Sequence, residues 1–167
     1  LFDVAASVLE YSKARAICHL VESCGTVDAA VAEIDYHVRE CGVRFVVVDY
    51  AQMLQAPGRG RYEQVTNVSL ALRRATSRNK IVVLVLCHLN RQIESREVFK
   101  PTMADIKDTG QLEQDADVIL FLVWPHRLNQ ERPIGEFQFF VAKNRNRAIR
   151  QQIVKAEFLQ HRQRVID

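Results

Sequence analysis

Two polar residues that could do phosphate chemistry each follow a run of apolar residues. Asp49 interrupts the stretch VRFVVVDYAQML, residues 43–54, and His88 follows KIVVLVLC, residues 80–87. Ligands of open α/β sheets bind at the carboxyl ends of parallel strands, so we expect both residues at one edge of a sheet. A carboxylate there can hold Mg²⁺ through water against nucleotide phosphates, and an imidazole can touch a γ-phosphate. Taken alone, Asp49 is equally compatible with a solvated strand end. An isolated histidine at the end of a strand is more often hydrogen-bonded to the backbone.

The segments around these residues predict a strand–helix–strand order. Residues 43–48 and 80–87 read as strands buried on both faces. Between Thr26, a candidate cap, and Gly42, a candidate stop, apolar residues recur with the period of a helix that lies on a sheet, at Val27, Val31, Ile34, Val38 and Cys41. A second helix over residues 62–77 has an apolar face and an outward basic face, the latter with Arg73, Arg74 and Arg78. A short candidate strand over residues 16–21, the first helix and the strand over residues 43–48 form a strand–helix–strand crossover, which implies parallel strands with a right-handed connection.

The remaining segments complete an α/β domain. Residues 1–16 are predicted to be helical and residues 16–21 to form a short strand. Residues 92–117 form a polar stretch too long for a simple connector, so we interpret it as a functional loop. Residues 118–123 predict a strand, and residues 136–142 and 151–158 a hairpin whose turn is the basic segment 143–150. We therefore expect a single domain with a mostly parallel sheet flanked by helices and an antiparallel hairpin at one edge.

Composition narrows the class only slightly. The chain has 167 residues, 48% of them hydrophobic and 26% charged, with a net charge of +3. No run approaches the roughly 20 apolar residues of a membrane-spanning helix. The net charge alone does not indicate a nucleic-acid binder, and basic clusters are more often solvated surface than functional patches.

The cysteines are best explained as buried reduced thiols, with Cys87 inside an apolar strand. A zinc site can be imagined from Cys18, His19, Cys24, His37 and Cys41. Its spacing is irregular, and Cys41 falls on the apolar stripe of the predicted helix. We therefore set that site aside as a weak alternative.

Four motifs together resemble one known family. VVVDYAQML (46–54), LCHLNR (86–91), PTMADIKDTGQLEQDADVILF (101–121) and AKNRNR (142–147) look like the RecA-type motor domain of DnaB-type replicative DNA helicases. The resemblance runs from about Gly25 to the end, with the motifs in the family's order. Motifs of lower similarity to these also occur in RecA and RadA recombinases. The resemblance implies a RecA-like fold, with ATP and Mg²⁺ as cofactors.

The resemblance also implies residue roles at the nucleotide. Asp49 matches the Walker B aspartate that positions Mg²⁺. His88 stands where DnaB usually has a γ-phosphate-sensing glutamine, and a histidine there is similar to phage and mitochondrial primase-helicases. Lys143 and Arg145 match a Lys-x-Arg pair that enters the neighbouring subunit's nucleotide site, where a guanidinium stabilises charge on the γ-oxygens. Arg147 departs from the family's glycine, as Arg150 does.

Single-stranded DNA is the implied substrate of two loops. Residues 105–110 match the segment that grips the DNA backbone, although the family has Arg and Glu at the positions of Lys107 and Asp108. Residues 55–62 match the other DNA-facing loop by position only. The residues counted as DNA-binding are Arg59, Arg61, Arg91, Asp105, Lys107, Asp108 and Gly110. Such contacts with the DNA backbone would not depend on the nucleotide sequence, and salt would weaken them.

A phosphate-binding Gly-x-x-x-x-Gly-Lys-Ser/Thr sequence is not found in the 167 residues. We expect either a fragment of a motor whose first third lies upstream, which a first residue other than Met favours, or a degenerate paralogue. The leading hypothesis is part of an ATP-dependent replicative helicase that is inactive as a fragment. Its implied partners are single-stranded DNA, further copies in a hexameric ring, a primase and a helicase loader, in the cytoplasm at the replication fork or in a phage-infected cell. The alternatives are a non-hydrolysing RecA-fold DNA-binding or interaction module and a RecA- or RadA-like recombination ATPase.

Overall fold

The computed structural model describes residues 18–22, 24–90, 93, 101–106, 110–149, 152–162 and 164–166. Four helices and six strands lie in these ranges. The helices are α1 (Val27–Cys41), α2 (Arg61–Asn79), α3 (Gln111–Asp115) and α4 (Pro125–Leu128). The strands are β1 (Phe45–Val48), β2 (Val82–Val85), β3 (Val118–Val123), β4 (Glu136–Asn144), β5 (Ile153–Leu159) and β6 (Arg164–Ile166).

Helix α1 begins and ends where the sequence predicts. The Thr26 hydroxyl accepts a hydrogen bond from the Ala29 N–H at 3.2 Å, which satisfies a backbone donor of the first turn. Gly42 ends the helix with φ 69°, a left-handed conformation that glycine adopts without a steric cost. The predicted caps are therefore confirmed.

The two central strands are parallel, as predicted, but shorter. In the β1–β2 pair, Phe45 lies opposite Val82 and Val48 opposite Val85. Alternate side chains of both strands pack on a core formed with α1 and α2, in which Val68 and Leu72 are buried. The expectation of burial on both faces is wrong, because Phe45 and Val82 stay 57% and 63% exposed. Both helices pack on one face, so the other face remains apolar and open in the described part of the chain.

The last third of the chain forms an antiparallel sheet in the order β3–β4–β5–β6. The predicted hairpin is present as β4 and β5, and β3 pairs with β4 along its whole length. Strand β6 was not predicted, so the antiparallel part is larger than expected. Ile119, Phe121, Val123 and Phe140 form its buried core.

Short contacts join the two sheets through the segment between β2 and β3. Leu89 forms an antiparallel bridge with Ile106, and the Asn90 N–H donates to the Asp105 carbonyl at 2.8 Å. The Ser69 hydroxyl on α2 donates to the Asp115 carboxylate at 2.7 Å. The predicted irregular loop over residues 92–117 therefore contains local structure: a 3₁₀ turn at Met103–Asp105 and helix α3.

The predictions for residues 1–21, for the cysteines and for membrane-spanning helices have different outcomes. The predicted helix over residues 1–16 lies outside the described residues, and residues 18–21 are not in a strand. Cys18 and Cys41 are exposed, so the expectation of buried thiols is wrong for them. Cys87 lies just after β2, and burial raises the pKa of its thiol. Within the described residues, none of the helices is long and apolar enough to cross a membrane.

Candidate nucleotide and nucleic-acid site

Asp49 and His88 lie at the same edge of the parallel strand pair. Backbone hydrogen bonds continue the pairing past the ends of β1 and β2: the Leu86 N–H donates to the Val48 carbonyl and the Ala51 N–H to the Leu86 carbonyl, each at 2.9 Å. Asp49 follows β1 directly, His88 is three residues past the end of β2, and both are exposed. The carboxylate and the imidazole are therefore presented to solvent from one rim of the sheet.

Two neighbours that the sequence reading gave no role hold His88 in place. The Tyr50 ring stacks on the His88 ring with centroids 4.2 Å apart and planes 28° apart. The buried Gln52 side chain donates to the His88 carbonyl and accepts from the His88 N–H, both at 3.3 Å. A polar side chain one turn after a strand-ending aspartate was the available signal for Gln52. The turn after β1 thus fixes the segment after β2.

The donor chemistry at this edge fits a magnesium ion. Asp49 is exposed, and its carboxylate has no hydrogen bond or ion pair with any described residue. Mg²⁺ is usually held in nucleotide sites by one or two carboxylates, several waters and the substrate phosphates. A single exposed carboxylate beside an exposed imidazole suits that mode of binding.

The segment that follows His88 is anchored by Asp105. This residue is buried, and its carboxylate accepts hydrogen bonds from the Thr102 N–H and hydroxyl, both at 2.8 Å. The carboxylate therefore stabilises the turn at residues 102–105. The predicted contact of Asp105 with DNA stays a prediction. Gly110 has an ordinary φ of −78° and open space where a Cβ would lie. The described part of the chain therefore does not itself require a glycine there.

The other predicted DNA-facing loop packs against the edge that carries Asp49 and His88. The Arg61 guanidinium donates to the Gln52 carbonyl, which ties the start of α2 to the turn after β1. The Arg59 N–H donates to the Glu63 carboxylate at 2.7 Å, and the Arg59 side chain is exposed. The remaining residues predicted to bind DNA, Arg91, Lys107 and Asp108, lie outside the described residues.

Lys143 and Arg145 belong to a second site, at the end of β4. The Lys143 ammonium donates to the Glu113 carbonyl at 2.6 Å, and Arg145 Nη2 donates to the Gln114 carbonyl at 2.7 Å. These are carbonyls in the last turn of α3, where basic side chains are favoured. The structure therefore brings Lys143 and Arg145 together against the end of α3. It brings Asp49 and His88 together at the edge of the parallel strands.

Asp117 is the residue of this second site that sequence reasoning missed. Its carboxylate pairs with Arg145 Nη1 at 2.9 Å and with Arg73 Nη1 at 3.0 Å, and Arg73 also donates to the Asp115 carbonyl. Arg73 was predicted to point outward; its side chain is 38% exposed, and its guanidinium also joins this network. Helical periodicity could not predict the network, because it does not show that a residue 44 positions later will meet the helix.

The fold and these sites define a class. The described part has the parallel strand–helix–strand unit and added antiparallel strands of RecA-fold ATPase domains. One solved structure, described as an ATPase domain, superposes on 85% of this chain and 51% of its own, with a TM-score of 0.77 and 27% identity. A DnaB-like replicative helicase, solved in a study of its interactions with primase, matches 84% of this chain and 35% of its own, with a TM-score of 0.76 and 27% identity.

Sequence comparison narrows the class to one family. The family described as DnaB-like helicase C terminal domain matches residues 12–167, so the chain belongs to that family. The replicative DNA helicase DnaB of Geobacillus stearothermophilus is 32% identical over 112 residues, which are 65% of this chain and 25% of that protein. The chain spans about a quarter of the length of the curated relatives it matches.

Proposed function

We propose that this chain is part of the motor of an ATP-dependent replicative DNA helicase, in which a ring of subunits hydrolyses ATP, translocates on single-stranded DNA and unwinds duplex. The observation that carries the proposal is the presentation of Asp49 and His88 from one edge of a parallel strand pair. Membership in the DnaB-like family supports it independently.

At the nucleotide edge, Asp49 would hold Mg²⁺ through water and His88 would contact the γ-phosphate of ATP. The bound Mg²⁺ would neutralise charge on the phosphate oxygens. Tyr50 packs on the imidazole ring and Gln52 holds the backbone of His88, so both limit how far the residue can move. A preorganised contact of this kind needs little reorganisation when the phosphate leaves.

Loss of the γ-phosphate would change the position of the segment that follows His88. The Leu89–Ile106 bridge joins the two ends of residues 89–106, and α3 follows a few residues later. A shift at His88 would therefore reach the predicted DNA-gripping residues 105–110 through a backbone hydrogen-bonded pair. Order in a segment that follows nucleotide state is a known way to link hydrolysis to movement.

Arg145 would act in a neighbouring subunit's nucleotide site, with Lys143 beside it. A guanidinium has five N–H donors. Its bonds to Asp117 and Gln114 use one hydrogen on each terminal nitrogen, so three donors remain for phosphate oxygens. Asp117 can thus orient Arg145 without using all of its hydrogen-bond donors. Because the arginine comes from another copy, hydrolysis would depend on ring assembly.

The proposed partners follow from the same role. Single-stranded DNA would run along residues 55–62 and 105–110, further copies would close a hexameric ring, and a primase and a helicase loader would join it. We place this activity in the cytoplasm, at the replication fork of a bacterium or of a phage-infected cell.

The test of the nucleotide roles uses the full-length gene product. Asp49→Asn should abolish ATP turnover and fork unwinding. Arg145→Ala should abolish turnover while nucleotide binding is retained, because its role lies in a neighbour's site. Arg147→Ala is the matched control: it removes another exposed arginine of the same turn and should leave turnover unchanged. Loss of nucleotide binding in Arg145→Ala, or equal loss of turnover in Arg147→Ala, would contradict the assignment.

The test of the DNA role measures the salt dependence of single-strand binding. Lys107→Ala and Arg59→Ala should each weaken binding and reduce the slope of log K against log salt by about 0.7, the single-strand value for one phosphate contact. Arg74→Ala, which removes an exposed arginine on α2, is the control and should leave the slope unchanged. A slope in Lys107→Ala and Arg59→Ala equal to that of the control would argue against phosphate contacts in these loops.

A further inference from the structure

Three metal-ligating side chains converge near the C-terminal end of α1, and none of them belongs to the two sites described above. One ring nitrogen from each of His19 and His37 and the Cys41 sulfur all lie within 4.8 Å of one another. His37 and Cys41 are four residues apart, so they lie on consecutive turns of the same helix face. His19 comes from the segment before the helix, and its ring centroid is 4.7 Å from that of His37.

The two nitrogens of His37 have different surroundings. Nε2 lies 3.5 Å from a Glu33 carboxylate oxygen, one helical turn earlier. Nδ1 is buried and has no hydrogen-bond partner in the described part of the chain. A neighbouring carboxylate favours the tautomer with the proton on Nε2, which leaves a lone pair on Nδ1. A buried acceptor without a donor is costly, and a bound cation would remove that cost.

We propose that His19, His37 and Cys41 form a binding site for a borderline-soft divalent transition-metal ion of the Zn²⁺ type. Imidazole and thiolate ligands suit Zn²⁺ and Co²⁺, whereas Mg²⁺ and Ca²⁺ prefer oxygen ligands. In a tetrahedral site, metal–ligand bonds of about 2.0–2.3 Å put neighbouring ligand atoms roughly 3.3–3.8 Å apart. The ligand atoms here need to close by roughly 1–1.5 Å at most, and the exposed His19 and Cys41 side chains are free to do so.

Glu33 completes the arrangement as a positioning residue. A metal-bound histidine commonly donates its other ring N–H to a carboxylate, which fixes the ring and raises the basicity of the ligand. Glu33, His37 and Cys41 follow one another at intervals of four on α1 and provide that order. The weak point of the zinc hypothesis from sequence was the placement of Cys41 on an apolar stripe, and the structure shows Cys41 exposed. Cys18 and Cys24 do not belong to the converging group.

The consequence of metal binding would be local. Three protein ligands leave a fourth position for water, and the bond from His19 would fasten residues 18–22 to α1. Binding requires the Cys41 thiolate, so a proton would be released from the thiol as the metal binds. The Asp49–His88 edge is formed by other elements, so the site would act on stability rather than on nucleotide chemistry.

The test is a Co²⁺ titration of the reduced, chelator-treated full-length protein. We expect intense visible d–d bands and a thiolate-to-cobalt charge-transfer band. Cys41→Ser should abolish the charge-transfer band, and His37→Ala should abolish the tetrahedral spectrum. Glu33→Gln should retain the band but weaken binding about 10- to 100-fold. Cys24→Ser is the matched control and should bind Co²⁺ like the unchanged protein.

A second measurement does not depend on any variant folding. Zn²⁺ should slow alkylation of Cys41 by iodoacetamide by roughly tenfold or more, read by peptide mass spectrometry, because a metal-bound thiolate is not free to react. Cys24, which does not belong to the converging group, should react at an unchanged rate. Absence of a charge-transfer band in the unchanged protein, persistence of that band in Cys41→Ser, or its loss in Cys24→Ser would overturn the proposal. Equal reaction rates of Cys41 with and without Zn²⁺ would overturn it as well.

Discussion

Replacing Asp117 by asparagine tests the network that holds Arg145. The substitution keeps the size of the side chain but removes the charge that Arg73 and Arg145 share. The three side chains are 38–45% exposed, so water screens both pairs. An ion pair at such a site contributes about 0.2–1 kcal/mol, and the loss of both should lower the free energy of unfolding by about 0.5–2 kcal/mol. For a chain of this length that corresponds to a fall of a few degrees in melting temperature.

The assay is urea unfolding at low and high ionic strength. At about 1 M salt the Debye length falls to roughly 3 Å, so the difference between Asp117→Asn and the unchanged protein should shrink. Glu131→Gln is the control, because the exposed Glu131 side chain has no partner among the described residues. A double-mutant cycle with Arg145→Gln should give a coupling energy of about 0.2–1 kcal/mol. A coupling energy of zero, or a midpoint equal to that of Glu131→Gln, would refute the network.

Three further outcomes are expected. Leu72→Ala should lower the free energy of unfolding by about 2–5 kcal/mol, because Leu72 is buried in the core that α2 shares with α1 and the parallel strands. Replacing the exposed Leu20 by alanine should change it by less than about 0.5 kcal/mol in the same urea titration, and equal midpoints for the two variants would contradict this assignment of the core. A hydrogen bond from Arg78 lowers the pKa of Asp35, so this pairing stabilises the fold above the ordinary carboxyl pKa, and the stabilisation is lost as pH falls through the lowered pKa. Asp35→Asn should therefore make the loss of stability at acid pH less steep, and an unchanged pH dependence would contradict the pairing. Leu84→Ser should reduce binding of a hydrophobic dye to the isolated chain, since Leu84 lies on the open face of the β1–β2 pair, and undiminished fluorescence would argue against an exposed apolar face.

The sequence predicted most of the local structure because local rules govern it. The cap at Thr26, the stop at Gly42 and the periodicity between them are properties of neighbouring residues, and they predicted α1 with both of its ends. The helix-flanked apolar runs predicted a mostly parallel sheet, and therefore a shared edge for Asp49 and His88; the strands that precede these two residues are a parallel pair. Side-chain burial was predicted less well. Apolar composition cannot show which face of a strand the helices cover, and β1 and β2 proved to be open on one face.

The sequence by itself determined the family, the strand-end positions of Asp49 and His88, and the basic turn that carries Lys143 and Arg145. Only the tertiary structure decided which side chains meet across the chain. Gln52 reaches His88 from 36 residues away, Asp117 joins Arg145 to a residue of α2, and His19 meets the face of α1 that carries Cys41. Such contacts depend on how whole elements pack, because a side chain's distant neighbours are set by the positions of several helices and strands together. Composition and periodicity report on each element separately, so they contain no information about these meetings.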